Sequence, residues 1–241
     1  MARLKGGIFG EISGKLDKLV LRNVKGRTVV SVRPRNYKKS ASEKSYKVHA
    51  QFTAAVEFSS YINSISGLKQ CWSLAFKKCY SAFNEIEKHN IKSISLGVPS
   101  ISNIITPNKY LSASKLAGKI TCGFPNVEFS FNGKSLFVSP GASAITEEDK
   151  NSTPASFIFV FSFYNPKEKD IKNFMMDHLI YPLTSIDELK NQIDIPLSES
   201  IKKNASLYNK AIVYSAFLEY SDADHIAKFS NTYTKEFNIA E

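Results

Sequence analysis

The stretch "ASFIFVFSFYNP", Ala155 to Pro166, constrains the fold more than any other. It is apolar on both faces from Phe157 to Phe161, and its β-branched and aromatic content excludes a half-solvated edge position. It reads as a central buried strand. The segments around it have compatible patterns. "NVEFSFNGKSLFVSP" alternates through Val127, Phe129 and Phe131, turns at Asn132-Gly133, and resumes at Leu136 and Val138. Asn-Gly between alternating hydrophobics is a strong hairpin signal, because both residues tolerate the positive φ that a tight hairpin turn needs. "NKAIVYSAFLEYSD" reads as another long strand and "HIAKFSNTYTKEF" as a last one. One helix over roughly Glu168 to Leu179 interrupts the series. A short helix near Ser185 to Asn191 and a short strand near Ile195 follow it. Five or more strands with turn signals between them predict an antiparallel sandwich.

The first hundred residues have a different texture. Lys18 to Arg33 reads as a β-hairpin, with Leu19, Leu21 and Val24 before Lys25-Gly26, and Thr28, Val30 and Val32 after it. Pro34 ends the second strand because it has no amide to donate. Upstream, Gly6, Gly7, Gly10 and Gly14 describe an arm rather than a regular element; with Gly26 they are the glycines of arm and turn. An isolated hairpin is marginal in water, so this one needs a surface to pack on. From Ser40 the period changes. Ser40-Ala41-Ser42-Glu43 has capping-box spacing. Val48, Phe52, Ala55 or Val56, Ser59 and Ile62 then recur every three to four residues, the period of one helix face. Gly67 breaks that helix. A second helix over about Leu68 to Lys88 carries Trp72, Phe76, Cys79, Phe83 and Ile86 on one stripe, completing a helical hairpin.

The expected fold is therefore α+β: an N-terminal β-hairpin and helical hairpin followed by an antiparallel β-sandwich-like domain. The expected divisions are a glycine-rich basic arm and hairpin over 1–39, the helical hairpin over 40–96, a linker over 97–118, and the β domain over 119–241. The linker reading rests on the Pro, Ser and Asn content of "GVPSISNIITPNKYLSASKLAG".

Charge is confined to one end. The net charge is +10, yet residues 1–50 hold 13 Lys/Arg against three acids, and the remainder is neutral. Localised charge points to a partner of opposite sign or a neighbouring subunit. The candidate contacts are Arg22, Arg27, Arg33, Arg35, Lys38 and Lys39. Tyr37 is the one aromatic near them, a poor platform for base stacking. A basic solvent face that protects a strand edge is the plain structural reading of the same residues.

Signals for chemistry are sparse. Cys71, Cys79 and Cys122 form no CxxC and read as reduced, structural thiols. His49, His89, His178 and His225 are far apart. Asp177-His178 and Asp222-x-Asp224-His225 are the acid–histidine clusters, and the second reads as a polar turn. "GGIFGEISGK" lacks the GxxxxGK[ST] ending of a phosphate loop. No cofactor, metal, catalytic residue, small-molecule substrate or membrane contact is expected. The start "MARLKGGIFGEISGK" has no apolar core, so cytoplasmic synthesis without Sec export is expected, with incorporation into a virion or filament open.

Gly10-x-x-Ser13-Gly14-Lys15, then Val20, Gly26, Val29-Val30 and Arg33-Pro34, resembles the opening of a family of uncharacterised proteins from Bacteroidota. "YLSASKLAG" resembles the segment before that family's β region, and "AIVYSAFLEYSDADHIAKFSNTYTKEF" its closing strand pair. Asp17 and Ser31 depart from the pattern, which has Gly and Arg there. The resemblance implies a fold and no activity.

These features together describe a non-enzymatic structural or assembly protein. It would dock to other copies of itself, or to other particle proteins, through the basic N-terminal segment. The alternative is a nucleic-acid-binding protein using the same segment.

Overall fold

The computed structural model describes residues 2–4, 14–16, 18–23, 28–32, 42–76, 81–107, 120–125, 127–141, 154–183, 186–221 and 225–239. The chain divides into two compact units, Met1–Ser45 and Tyr46–Glu241. It is a mixed α+β protein with antiparallel sheets. No helix among the described residues is long and apolar enough to cross a membrane.

The first unit contains a four-stranded antiparallel sheet of β1 (Ala2–Leu4), β2 (Gly14–Leu16), β3 (Leu19–Asn23) and β4 (Thr28–Val32), in the order β1-β4-β3-β2. The expected hairpin is β3–β4, with Leu19 opposite Val32 and Asn23 opposite Thr28. The turn Lys25-Gly26 lies outside the described residues. The expected arm is corrected at its two ends, where β1 adds to β4 and β2 adds to β3. Gly14 begins β2 at φ +140, a conformation that favours glycine, opposite Leu21. Gly6, Gly7, Gly10 and Gly26 lie outside the described residues.

The second unit is built on a five-stranded sheet. Its members are β7 (Ala155–Pro166), β8 (Phe174–Leu183), β10 (Tyr208–Tyr220), β11 (Ile226–Phe229) and β12 (Tyr233–Asn238). β7 is the buried central strand its sequence requires, with β8 on one side and β10 on the other. The second edge of β10 is shared in succession by β12, along Lys210–Ser215, and β11, along Leu218–Tyr220. Ser230 spans the gap between them. Its hydroxyl accepts the Phe217 amide at 2.9 Å, and its own amide donates to the Phe217 carbonyl at 2.8 Å. The single last strand expected from "HIAKFSNTYTKEF" is thus two.

Both faces of this sheet are covered, as a strand apolar on both sides demands. Ile158, Val160, Tyr214, Ala216 and Leu218 pack with the helices α1 (Glu43–Ser64), α2 (Ser66–Ala75) and α3 (Ala82–Asn90). Phe157, Phe159, Phe161, Phe163 and Val213 pack with a second sheet, β5 (Val127–Phe131), β6 (Leu136–Pro140) and β9 (Ile193–Ile195), and with α4 (Glu199–Leu207). Aromatic pairs join the layers: Phe131 to Phe161 at 5.1 Å and Phe129 to Phe159, edge-on, at 5.8 Å. Each such pair contributes about 0.5–1.5 kcal/mol beyond its buried area. The β5–β6 hairpin turns where expected, through a four-residue connection from Asn132 to Ser135 rather than a two-residue Asn-Gly turn. The Asn132 side chain accepts the amides of Lys134 and Ser135, and Gly133 has φ +86.

Several expectations are corrected here. The helix expected over Glu168 to Leu179 is turn and bend in its first half and strand β8 in its second, where register with β7 buries Phe174 and Met176 on one face. Tertiary pairing overrides the helix-tolerant composition of Met175 to Leu179. The helix α4 has no counterpart in the sequence reading, although Ser198 caps it by accepting the Ile201 amide at 3.2 Å. Helix α1 is capped by Ser42, whose hydroxyl accepts the Ser45 amide; Ser40 lies outside the described residues. Its buried stripe is Ala54, Ala55, Phe58, Ser59 and Ile62, while Val48 and Phe52 are exposed. The second expected helix is divided: α2 ends at Ala75, and α3 starts anew where the Ser81 hydroxyl accepts the Asn84 amide.

The helices and the β region share one core, so the expected divisions at 96 and 118 do not separate compact units. The described part of the expected linker, 97–107, is structural. The Trp72 indole donates to the Ile105 carbonyl at 2.9 Å. Asn103 donates to the side chain of buried Asn90, and Thr232 Oγ1 accepts the amides of Ile105 and Thr106. These bonds satisfy backbone groups that burial would otherwise leave unpaired. Residues 108–118 lie outside the described residues.

Candidate docking surface

Strand register sorts the residues of the N-terminal sheet. Paired residues share a face and neighbours along a strand alternate. Leu19, Leu21, Val30 and Val32 therefore lie on one face, and Val20, Arg22, Val29 and Ser31 on the other. The register also sets Ala2 opposite Val30 and Leu16 opposite Leu19. The first face carries these four apolar residues, with Asn23 and Thr28 at one end. In the backbone register, Val29 lies between Arg3 of β1 and Arg22 of β3, and Val20 lies opposite Lys15 of β2.

No described side chain of this sheet is buried: Leu19 is 37% exposed and Val32 is 72% exposed. A β-sheet gains its stability from at least one covered face. An apolar face left half-open, on strands of three to five residues, is a surface suited to docking. Of the expected contact residues, Arg22 is exposed on β3. Arg27, Arg33, Arg35, Lys38 and Lys39 lie outside the described residues.

The other side chains considered for chemistry occupy separate places. Cys71 is fully buried, and burial pushes its thiol well above the ordinary range. Cys122 is half-buried, and burial, reinforced by Glu219, pushes it up to about 12. Neither thiol is placed to ionise near neutrality, as a nucleophile must. Cys79 lies outside the described residues. His89 stacks on Phe76 at 5.5 Å and sits 5.9 Å from Trp72. Burial lowers its pKa against the pull of Glu85, 3.6 Å away. His225 closes a turn, its carbonyl accepting the Ser221 amide at 2.9 Å; Asp222 and Asp224 lie outside the described residues. Among the described residues no group of three His, Cys, Asp or Glu could hold a metal ion.

Asp177 and His178 sit on opposite faces of β8, and the imidazole meets Tyr61 rather than a carboxylate: Tyr61 Oη lies 2.9 Å from His178 Nδ1. Burial raises the Tyr61 phenol, and the Asp177 charge raises it further, which opposes use as a nucleophile. Asp177 faces α4, where Ser200 and Asn204 donate to it. This cluster was not legible in the sequence because the helix expected over 168–179 and the unexpected α4 put its members in the wrong places. An open groove of about 320 Å³ lies between α1 and the β7–β8 connection. It is lined by Ala50, Thr53, Glu57, Gly97 and Phe174, with Lys172 paired to Glu57 at 3.4 Å.

No protein-family model matches the chain, and comparison with curated proteins and with solved structures gives no match.

Proposed function

We propose that this chain is a non-enzymatic structural protein that assembles by docking its N-terminal sheet on a neighbouring subunit. The observation that carries the reading is the half-covered apolar face of Leu19, Leu21, Val30 and Val32 on a separate compact unit. Residues 1–45 also hold twelve Lys/Arg and three acids, so nearly the whole charge excess accompanies that surface. In the larger unit, the three-stranded sheet packs on the five-stranded sheet as a sandwich-like body. A virion or filament component is the kind of assembly that such a docking module and rigid body suit. Apolar docking provides affinity, and the basic residues steer the approach of an acidic neighbour.

The test is size-exclusion chromatography with light scattering on the full chain and on Leu21→Asp/Val30→Asp. The full chain is expected to run above monomer mass at micromolar concentration, and the variant as a monomer. A full-length chain that stays monomeric at every concentration and salt level overturns the reading.

The exposed Arg22, on a unit that holds nearly the whole positive charge excess, favours nucleic acid as a second reading. It predicts binding to a duplex oligonucleotide that weakens steeply between 50 and 200 mM salt, by counterion release. Anisotropy that does not change with added duplex at 50 mM salt removes it.

A further inference from the structure

The outermost strand of the larger sheet, β8, pairs with β7 along Phe174–Leu183 and has no strand on its other side among the described residues. Two separate marks fix which backbone groups face outward. The His178 amide donates to Asp177 Oδ1 at 2.8 Å. Pro182, opposite Ser156, has no amide to give. Residues two apart turn the same way, so Met176, His178, Ile180 and Pro182 present their backbone outward. An added strand would seek a donor from each of these four. The His178 amide is already occupied and the Pro182 amide is absent.

The occupying carboxylate is itself held. Its other oxygen, Oδ2, accepts from Ser200 Oγ at 2.5 Å and from Asn204 Nδ2 at 3.2 Å, both on α4 and one turn apart. On the opposite face, Tyr61 fixes the His178 ring by its hydroxyl and by edge-on packing at 5.8 Å. Ile180, 48% exposed and lying between the two blocked positions, would otherwise be an apolar foothold for a second strand.

We propose that Asp177 and Pro182 close the outer edge of β8 to strand addition, with Asp177 as a positioning residue held on α4, and that the partner excluded is the β8 edge of a second copy. The inference does not depend on the N-terminal sheet, so either can fail without the other.

Residue-resolved amide exchange on the full chain tests it. In the wild type, His178 should exchange at least tenfold more slowly than Ile180. In Asp177→Ala, the His178 rate should rise to that of Ile180 while Val160, inside the sheet, is unchanged. Asp177→Asn keeps an acceptor oxygen and should retain His178 protection. In Asp177→Ala/Pro182→Val, light scattering should show a mass at least twice that of the wild type at equal concentration. If Asp177→Ala does not fold, Pro182→Val alone should raise the mass. Wild-type Met176 and Ile180 amides as slow as Val160 would mean an edge already occupied, and would overturn the proposal. So would His178 exchange unmoved by Asp177→Ala, or a Pro182 variant whose mass equals that of the wild type.

Discussion

Two antiparallel sheets in one chain solve the same problem differently. The larger sheet covers both faces: β7 and β10 lie between three helices and a second sheet, and Phe157 to Phe163 are almost fully buried. The N-terminal sheet also carries apolar residues along β3 and β4, yet none of its described side chains is buried. Alternation determines which residues share a face, but not whether that face is covered. Coverage needs material from elsewhere in the chain, or from outside it.

The contrast gives graded predictions. Phe161→Ala removes a ring packed on Phe131 and Phe163 and should destabilise the larger unit by about 3–5 kcal/mol. Leu21→Ala, on the half-covered sheet, should cost under about 1 kcal/mol. Urea unfolding of both variants checks this, and equal costs would break the contrast. Gly133→Ala comes next, at about 1–3 kcal/mol. Its φ is +86, and a Cβ there would meet Ile239 Cγ2 at 2.8 Å, so both backbone and packing resist it. A tight turn that tolerates alanine without loss of melting temperature would show that the hairpin is freer than its contacts imply.

A further effect concerns pH. Burial, reinforced by Glu219, pushes the Cys122 thiol up to about 12 in the folded chain, from about 9 when unfolded. Between those values the folded state binds more protons, so stability is full below pH 9 and falls as pH rises toward 12. Cys122→Ala should lessen that fall, measured by urea midpoints from pH 8 to pH 11. A variant with the wild-type slope would place the linkage on the tyrosines, whose phenols are also raised.

How much of this was legible in the sequence follows from the range of the forces involved. The β3–β4 hairpin and the Asn132-Gly133 turn were readable because short-range turn chemistry and alternation specify them. β7 was readable because five consecutive apolar residues allow no exposed face. β8 was not, because its composition suits a helix and only its partner β7, residues away in sequence, makes it a strand. The half-covered face of the N-terminal sheet was half legible. Leu19, Leu21, Val30 and Val32 could be placed on one hairpin, but the additional strands β1 and β2 arise from segments of three residues, too short for any period. Segment 97–107 carried loop signals and is nonetheless held in place by Asn90, Trp72 and Thr232, partners that no local pattern reveals.

The arrangement of strands around β10 has a consequence in time. Phe157 to Phe163 become a sheet interior only when Ala211 to Phe217 arrive to pair with them, roughly fifty residues later in synthesis. At ~5–20 residues per second, that interval is about 2–10 s. Throughout it a nascent chain carries an aromatic strand with one edge bare, the kind of segment that joins to its own kind. The second edge of β10 waits longer, for Ile226–Phe229 and Tyr233–Asn238. Chains truncated near residue 200 should therefore bind a hydrophobic dye and depend on chaperones, and the full 241-residue chain should not. The same residues that make the finished sheet secure make its manufacture the vulnerable period in the life of the molecule.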